Sequence, residues 1–302
     1  MQSLKPRRSP IFYVGDKSKL LPQLLPHFPK EINRYVEPFL GGGVVSLNVQ
    51  AQKYQLSDNS IHLISVHKRL RELSRTGNLI GEVCRRIKSH DLTCSYMGDS
   101  VAKSLISKFP KTYFAEANRE AFLKLRAAIN CAQDPDPLDL YILVIYGFNR
   151  MWRFNKSGEF NIPVGNVDFN ARTAGALSDF AEFHSKHKNI TYATRDFRDS
   201  VTRFDLGPND FVYLDPPYLI TQAEYNTRWQ EKNDEDLRQV FEFLHSKNVR
   251  VAMSNVLRYR DNKNTILERW AREFRLIDVN SNYINRFDNK QKIIREVLIV
   301  NY

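Results

Sequence analysis

The segment that most constrains the fold is a short apolar run that ends in a stiff acidic turn. Phe211-Val212-Tyr213-Leu214 is followed directly by Asp215-Pro216-Pro217-Tyr218. The apolar run predicts a buried strand, and open α/β sheets bind ligands beyond the carboxyl ends of their strands. Two consecutive prolines remove two amide donors and fix φ, which holds the neighbouring carbonyl groups in a rigid turn. The sequence therefore predicts a ligand site at this turn.

The residue types in the turn indicate which ligand it suits. Asp215 offers carboxylate oxygens, Pro216 adds a carbonyl oxygen held in place by Pro217, and Tyr218 supplies a flat ring. Two acceptors can take the two N–H bonds of an exocyclic amino group, and the ring can stack on the base that carries it. A nucleobase reaches such a pocket only when it is flipped out of the duplex. The same residues would also serve as a strand-ending turn with a packing tyrosine.

The pattern along the rest of the chain predicts an α/β sheet interrupted by a helical insertion. Strand and helix patterns alternate before residue 62 and after residue 187, which indicates a parallel sheet with crossover helices. Helical spacing dominates from 63 to 186, as in Asn118–Ile129 and Leu138–Phe148. The predicted domains are therefore 1–62 with 187–302, and the insertion 63–186. The remaining predicted elements are helices at Lys17–His27, Val44–Gln52 and Asp234–His245 (with Asn233 as N-cap) and strands at Tyr54–Ser57, Ile190–Tyr192, Arg250–Met253, Leu276–Val279 and Glu296–Val300.

Composition narrows the range of partners. The 302 residues include 45 Lys+Arg and 34 Asp+Glu, so the formal net charge is +11, and the isoelectric point is about 9.5. A folded protein this basic usually meets a polyanion, and nucleic acid is the leading candidate. The mean hydropathy is −0.48 and no apolar run reaches membrane-spanning length. The three cysteines lack metal-binding spacing, so no metal site is expected. Their odd number and the absence of a secretory pattern favour free thiols in the cytoplasm.

Two further motifs lie in the N-terminal part. Glu37-Pro38-Phe39-Leu40-Gly41-Gly42-Gly43 connects a predicted strand to a predicted helix, and glycines there let a ligand approach the backbone. Asp58 ends the next predicted strand, where an acidic residue commonly holds ribose hydroxyls. Lys17 stands near a helix start, where the dipole disfavours a cation. A ligand carboxylate would explain this lysine, although the lysine taken alone is more simply read as solvated.

Cations and aromatic rings alternate near the end of the insertion. The segment from Gly147 to Lys156 holds three cations and three aromatic residues, and no acidic residue occurs before Glu159. Such a segment can contact phosphates, bond a guanine edge and wedge between bases. Some of its rings, Trp152 above all, would equally serve the core.

Taken together, these motifs resemble the Dam-type (D12 class) family of DNA adenine-N6 methyltransferases, which includes phage-encoded members. The resemblance runs over nearly the whole chain and follows the order of the family, with cofactor motifs first, the recognition insertion next and Asp-Pro-Pro-Tyr last. It implies a Rossmann-like methyltransferase sheet and S-adenosylmethionine as the methyl donor. The residues that it assigns to cofactor binding are Tyr13, Gly15, Lys17, Glu37, Phe39, Gly41, Gly43, Asp58, Asp196 and Phe197.

The resemblance also implies how double-stranded DNA is read, and enzymes with one domain plus an insertion can act as monomers. The family places a β-hairpin at 147–165 with Gly158 in its turn, and the residues expected to meet DNA are Phe148, Asn149, Arg150, Met151, Arg153, Asn155 and Pro163. Arg153 is the predicted guanine reader. GATC is the leading target, but members that read it can carry an arginine where this chain has Asn166. Segment Leu219–Trp229 is predicted to order over the flipped base, with Tyr225 or Trp229 packing on that base or on the backbone.

Three alternatives remain at the level of sequence. A cytosine-N4 methyltransferase or an RNA methyltransferase would use the same pocket for a similar amine. A DNA-binding relative that has lost catalysis would retain the fold but not the methyl transfer. A nicotinamide oxidoreductase would need a Gly-x-Gly-x-x-Gly loop, which this chain lacks at the glycine motif.

Overall fold

The computed structural model describes residues 6–221, 229–281 and 294–302. These residues divide into two compact units. The sheet unit comprises 17–40, 48–59 and 189–302, and the helical unit comprises the residues up to 16, 41–47 and 60–188. Residues up to 16 and 41–47, which the sequence prediction places with the sheet, therefore cluster with the helices. The reason is local packing: the Phe12 carbonyl accepts a hydrogen bond from Trp152 Nε1 at 2.8 Å.

The sheet unit is built on eight strands within the described residues. Their bounds are β1 Arg34–Glu37, β2 Lys53–Asp58, β3 Ile190–Thr194, β4 Phe211–Leu214, β5 Arg250–Tyr259, β6 Asn262–Lys263, β7 Arg275–Val279 and β8 Ile294–Val300. The order is β3-β2-β1-β4-β5-β8-β7, with β6 paired to β5 alone. Strands β3, β2, β1, β4 and β5 run parallel, whereas β8 lies antiparallel to both β5 and β7. This confirms the predicted α/β class and the Rossmann-like methyltransferase sheet.

Within the described part of the sheet unit there are four α-helices: α1 Leu21–Leu24, α8 Phe197–Thr202, α9 Glu231–Ser246 and α10 Thr265–Ala271. The central strands are apolar on both faces because they are covered on both sides; all four residues of β4 are buried. Helix α9 contributes Leu237, Phe241 and Leu244 to the apolar cluster that covers one side of these strands. The predicted N-cap of α9 was wrong: Gln230 is the cap, and Asn233 closes a capping box with it.

The helical unit contains α2 Ile61–Arg75, α3 Leu79–Ser89, α4 Lys103–Lys108, α5 Tyr113–Cys131, α6 Pro137–Tyr146 and α7 Ala171–Lys186. Helix α6 forms its centre, since every residue from Leu138 to Tyr146 other than the polar Asp139 is buried. Among the residues that the structure describes, no helix combines the length and apolar character that crossing a bilayer requires.

The predicted helix Val44–Gln52 was also wrong. Only the 3-10 turn Ser46–Asn48 forms there. Val44 and Val45 are β-branched and lower helix propensity. The following backbone is held instead by the Tyr54 hydroxyl, which donates to the Val49 carbonyl and accepts from the Ala51 amide, both at 2.9 Å.

Candidate active site

The acidic turn lies where the sequence predicted it, directly after β4. Asp215 keeps 17% of its side chain exposed, and Lys17, which is 4% exposed, places Nζ 2.8 Å from its Oδ1. The solvated reading of Lys17 is therefore wrong. A buried ion pair of this kind is costly to break, because either partner alone would be an uncompensated charge. Lys17 thus belongs to the site as the counter-ion of the carboxylate.

Tyr218 closes the turn with its ring buried and its hydroxyl bonded twice. The phenol donates to Glu296 Oε1 at 2.8 Å and lies 3.3 Å from Asp215 Oδ1. Lys17 Nζ also stands 5.2 Å from the centre of the Tyr218 ring, a cation–π distance. Both contacts of Asp215 involve Oδ1, and within the described ranges no recorded contact involves Oδ2.

The electrostatics of the site follow from its burial. Burial raises the pKa of Asp215 above its ordinary value, the Lys17 ammonium opposes that rise, and the nearby Glu296 carboxylate adds to it. Burial and the neighbouring carboxylates also raise the pKa of Tyr213, whose hydroxyl lies 2.7 Å from Ser254 Oγ. Several carboxylates therefore share one buried region, and Lys17 compensates part of their charge.

The other acidic candidates of the sheet unit end β1 and β2. Glu37 is 2% exposed and accepts a hydrogen bond from the Tyr35 hydroxyl at 3.0 Å. Asp58 is 7% exposed, and its backbone carbonyl accepts from the Arg195 amide. Because β1, β2 and β4 run parallel, Glu37, Asp58 and Asp215 all lie at the carboxyl edge of the sheet.

Asp196 and Phe197 occupy the start of α8. Asp196 caps this helix through the Arg198 amide at 2.9 Å, and the Arg198 guanidinium bonds both of its carboxylate oxygens. Phe197 stacks on Phe39 with ring centres 5.1 Å apart. Asp196 is thus committed to the helix terminus, while Phe197 is buried in the core of the sheet unit and Phe39 packs against that core, partly buried.

Trp229 packs on the same aromatic pair. Its ring centre lies 5.8 Å from that of Phe39 and 5.7 Å from that of Phe197. Trp229 therefore packs on two predicted cofactor residues. Tyr225, the other residue predicted to cover a flipped base, lies outside the described residues.

The glycine motif belongs to the helical unit from Gly41 onward. Gly41 and Gly43 have φ of 48° and 73°, which L side chains rarely adopt. A Cβ at Gly42 would stand 2.4 Å from the Ile11 carbonyl oxygen, and one at Gly41 would stand 2.9 Å from the Tyr13 ring. The loop thus requires glycine for close packing as well as conformation.

His67 supports this loop from α2 and was missed at the level of sequence. The side chain is 1% exposed, and Nε2 donates to the Gly41 carbonyl at 2.9 Å. Burial lowers its pKa to about 4, so the imidazole is neutral at pH 7. Its spacing from Leu63 and Leu70 on the buried stripe of α2 is the signal that could have identified it.

The segment predicted to meet DNA begins with strained backbone. Asn149 and Arg150 both have φ of 53°, and two successive positive-φ residues other than glycine are unusual. Phe148, just before them, is 51% exposed. Arg150 places its guanidinium 3.9 Å from the centre of the Phe12 ring, and burial lowers the pKa of this arginine. The Arg150 side chain is therefore half-buried and packs on Phe12, whereas Phe148 and Asn149 face solvent.

The rest of the segment returns as a hairpin held by isolated bridges. Gly147 pairs with Val164 and Phe154 pairs with Phe160, both antiparallel, and Gly158 has φ of 80° in the turn. The exposed Arg153 bonds Asn161 through Nε at 3.0 Å. Of the other predicted contact residues, Pro163 is exposed, and Met151 and Asn155 are half-buried.

Asn166 has a structural role in the helical unit. Its Oδ1 accepts hydrogen bonds from the amides of Phe114 and Ala115 at 2.9 and 3.3 Å, and its Nδ2 donates to the Lys111 carbonyl. Thr112 makes no side-chain cap, so Asn166 satisfies the N-terminus of α5 in its place. Its side chain is committed to that helix.

The histidines and cysteines of the helical unit are accounted for by packing. His184 and His187 each bond a carbonyl one turn earlier in α7, those of Phe180 and Phe183. Cys84 and Cys94 are buried free thiols, and burial raises the pKa of both. Within the described ranges, no group of three or more His, Cys, Asp or Glu side chains is arranged to hold a metal ion.

Comparisons with known proteins agree with this geometry. Residues 13–284 match the model of the family described as D12 class N6 adenine-specific DNA methyltransferase. The chain is 32% identical over 305 residues to the modification methylase StsI of Streptococcus sanguinis and to the type II methyltransferase M.FokI of Planomicrobium okeanokoites. Each of these alignments covers 98% of this chain and 43% of the relative. The chain thus spans less than half the length of these two relatives.

A third relative is matched over most of its own length. The DNA adenine methylase of Salmonella typhi is 29% identical over 261 residues, which is 83% of this chain and 82% of that protein. Among solved structures, SMU.472, described as a putative methyltransferase complexed with SAH, shows 10% identity and a TM-score of 0.36 over 99% of this chain and 54% of its own. That likeness is too distant to carry an argument.

Proposed function

Because the chain belongs to the D12 class of N6 adenine-specific DNA methyltransferases, we propose that it transfers a methyl group from S-adenosylmethionine to N6 of an adenine everted from duplex DNA. The observation that carries the proposal is the largely buried carboxylate of Asp215 on the rigid turn after β4, with Lys17 as its counter-ion. The family match over residues 13–284 favours adenine over the cytosine and RNA alternatives.

The residues of the sheet unit suit this cofactor. The buried Glu37 carboxylate suits an ammonium group, Asp58 at the end of β2 suits a ribose diol, and the Phe39 and Phe197 rings suit a purine. When bound, the cofactor supplies an electrophilic methyl group on a positively charged sulfur. Tyr13, Gly15, Gly41 and Gly43, in the helical unit, remain predicted cofactor residues.

The turn contributes orientation and charge. Asp215 Oδ2 and the Pro216 carbonyl would accept hydrogen bonds from the two N6–H groups, which would turn the nitrogen lone pair toward the methyl group that the cofactor supplies. Nitrogen becomes acidic only as its bond to that methyl group forms, so the proton can leave afterwards to water and Asp215 need not be a strong base. Alignment and prearranged acceptors account for most of the rate gain.

The helical unit is proposed to read the DNA. The exposed Phe148 and the solvent-facing Asn149 and Arg153 are the residues best placed to reach bases. GATC is the first site to test. Because Asn166 serves α5, its side chain is not proposed to contact a base.

The proposal is tested by incubating the purified protein with cofactor labelled in the methyl group and with random-sequence duplex DNA. Digestion to nucleosides should recover the label as N6-methyladenine, and sequencing should map the methylated positions. Asp215→Ala, compared at equal circular dichroism, should abolish the label. Recovery of the label as N4-methylcytosine would indicate a cytosine-N4 methyltransferase instead, and transfer to RNA alone would indicate an RNA methyltransferase. DNA binding without any transfer would indicate a relative that lacks activity.

A further inference from the structure

We propose that Glu296 is a positioning residue for the reaction, acting through the hydroxyl of Tyr218. This inference rests on the proposed function and extends it to a strand far along the chain from the acidic turn. Glu296 Oε1 accepts the Tyr218 O–H at 2.8 Å, in a region where the glutamate itself is only 2% exposed.

The position of Glu296 in the sheet is unusual for a carboxylate. It lies on β8 opposite Val256 of β5 and Val279 of β7, and the next four residues of the strand are buried and apolar. A strand covered on both faces favours apolar side chains throughout. Burying a carboxylate there is unfavourable unless it receives hydrogen bonds. The Tyr218 phenol supplies one such bond, so the two side chains are structurally dependent on each other.

The contact with Glu296 also decides where the Tyr218 proton goes. A phenol has a single proton, and among the described residues the Tyr218 hydroxyl lies 2.8 Å from Glu296 Oε1 and 3.3 Å from Asp215 Oδ1. The shorter bond directs the proton to Glu296. Without that acceptor, Tyr218 would donate to Asp215, whose Oδ1 already receives Lys17. Such a bond would weaken Asp215 as an acceptor for the adenine amine and would tilt the ring that stacks on the base.

The role is tested by a double-mutant cycle. Glu296→Leu should lower kcat about tenfold to a hundredfold, the usual cost of losing a hydrogen bond to a charged group, with KM for the cofactor changed less than about threefold. Glu296→Gln keeps an acceptor oxygen and should recover most of the rate. In a Tyr218→Phe background, Glu296→Gln and Glu296→Leu should have equal kcat, because both remove the same charge near Asp215 and the hydroxyl that distinguishes the two side chains is absent.

A matched control uses a carboxylate on the adjacent strand. Asp278→Leu on β7 removes an exposed acid that pairs with Arg295, and it should leave kcat unchanged. Equal losses from Glu296→Leu with and without the Tyr218 hydroxyl would overturn the assignment. So would a Glu296→Gln variant as slow as Glu296→Leu.

The contact can be measured independently of catalysis. A cycle of urea unfolding with wild type, Glu296→Gln, Tyr218→Phe and the double variant should show non-additive changes in stability, and additive changes would overturn the Glu296 assignment. Failure of the wild-type protein to methylate DNA would overturn the proposed function instead. The two failures are thus distinguishable.

Discussion

Mild acid should destabilise the fold through His67. This histidine is neutral in the folded state because burial lowers its pKa from 6.5 to about 4. In the unfolded chain it binds a proton near its ordinary pKa, so the unfolded state gains protons first as the pH falls. The stability that His67 contributes is therefore complete above pH 6.5 and is lost as the pH falls from 6.5 to about 4.

The magnitude follows from those two values. Between the two pKa values, each histidine that the fold keeps neutral lowers the free energy of unfolding by about 1.36 kcal/mol for every unit that the pH falls. His67 alone should therefore lower the free energy of unfolding by about 2 kcal/mol at pH 5 relative to pH 8. His184, whose pKa burial lowers to about 3, acts in the same direction. A loss of this size is a substantial part of the 5–15 kcal/mol, roughly, that typically stabilises a domain.

The assay is urea unfolding followed by circular dichroism at pH 8 and pH 5. His67→Gln keeps a side-chain N–H that can donate to the Gly41 carbonyl but does not titrate in this range. It should lose about 2 kcal/mol less than the wild type between the two pH values. His245→Gln, at an exposed position, is the control and should follow the wild type. An acid-induced loss in His67→Gln equal to that of the wild type would refute the reasoning.

Three further predictions address helix capping, base reading and the counter-ion. Asn166→Ala removes the hydrogen bonds that satisfy the start of α5 and should lower the free energy of unfolding by about 1 kcal/mol, measured in urea. Arg153→Ala should relax the preference at one base of the methylated site in a randomised library; an unchanged preference would mean that Arg153 reads no base. Lys17→Met removes the charge that opposes burial at Asp215, so the pKa of Asp215 should rise further. Since Asp215 must be ionised to accept the amine, the acid-side decline of kcat at saturating cofactor should then begin at higher pH, and an unmoved pH profile would contradict this role.

The sheet and the acidic turn were predictable because their signals are local. The apolar run 211–214 and the proline pair determine a buried strand and a stiff turn whatever the rest of the chain does. The family match confirms the Dam-type resemblance that these motifs suggested. The predicted strands after residue 187 also form, β5 and β8 being longer than expected because their pairing extends beyond the apolar stretch.

The partners of the site residues were not predictable, because they come from distant parts of the chain. The ion pair of Lys17 with Asp215 joins residues 198 positions apart, and local sequence around Lys17 suggested a solvated side chain or a ligand carboxylate as its partner, but not Asp215. Glu296 could have been noticed as a lone carboxylate beside a buried apolar run, but its partner Tyr218 could not. For the same reason, the packing of Arg150 on Phe12 and the capping role of Asn166 became clear only in the folded structure.

The most direct measurement of the central claim is the structure of the protein with duplex DNA and a cofactor analogue that has no transferable methyl group. We expect an everted adenine whose N6 lies about 3 Å from Asp215 Oδ2 and from the Pro216 carbonyl oxygen, with the Tyr218 hydroxyl still bonded to Glu296. The account would be contradicted by an adenine bound elsewhere while Asp215 contacts only Lys17.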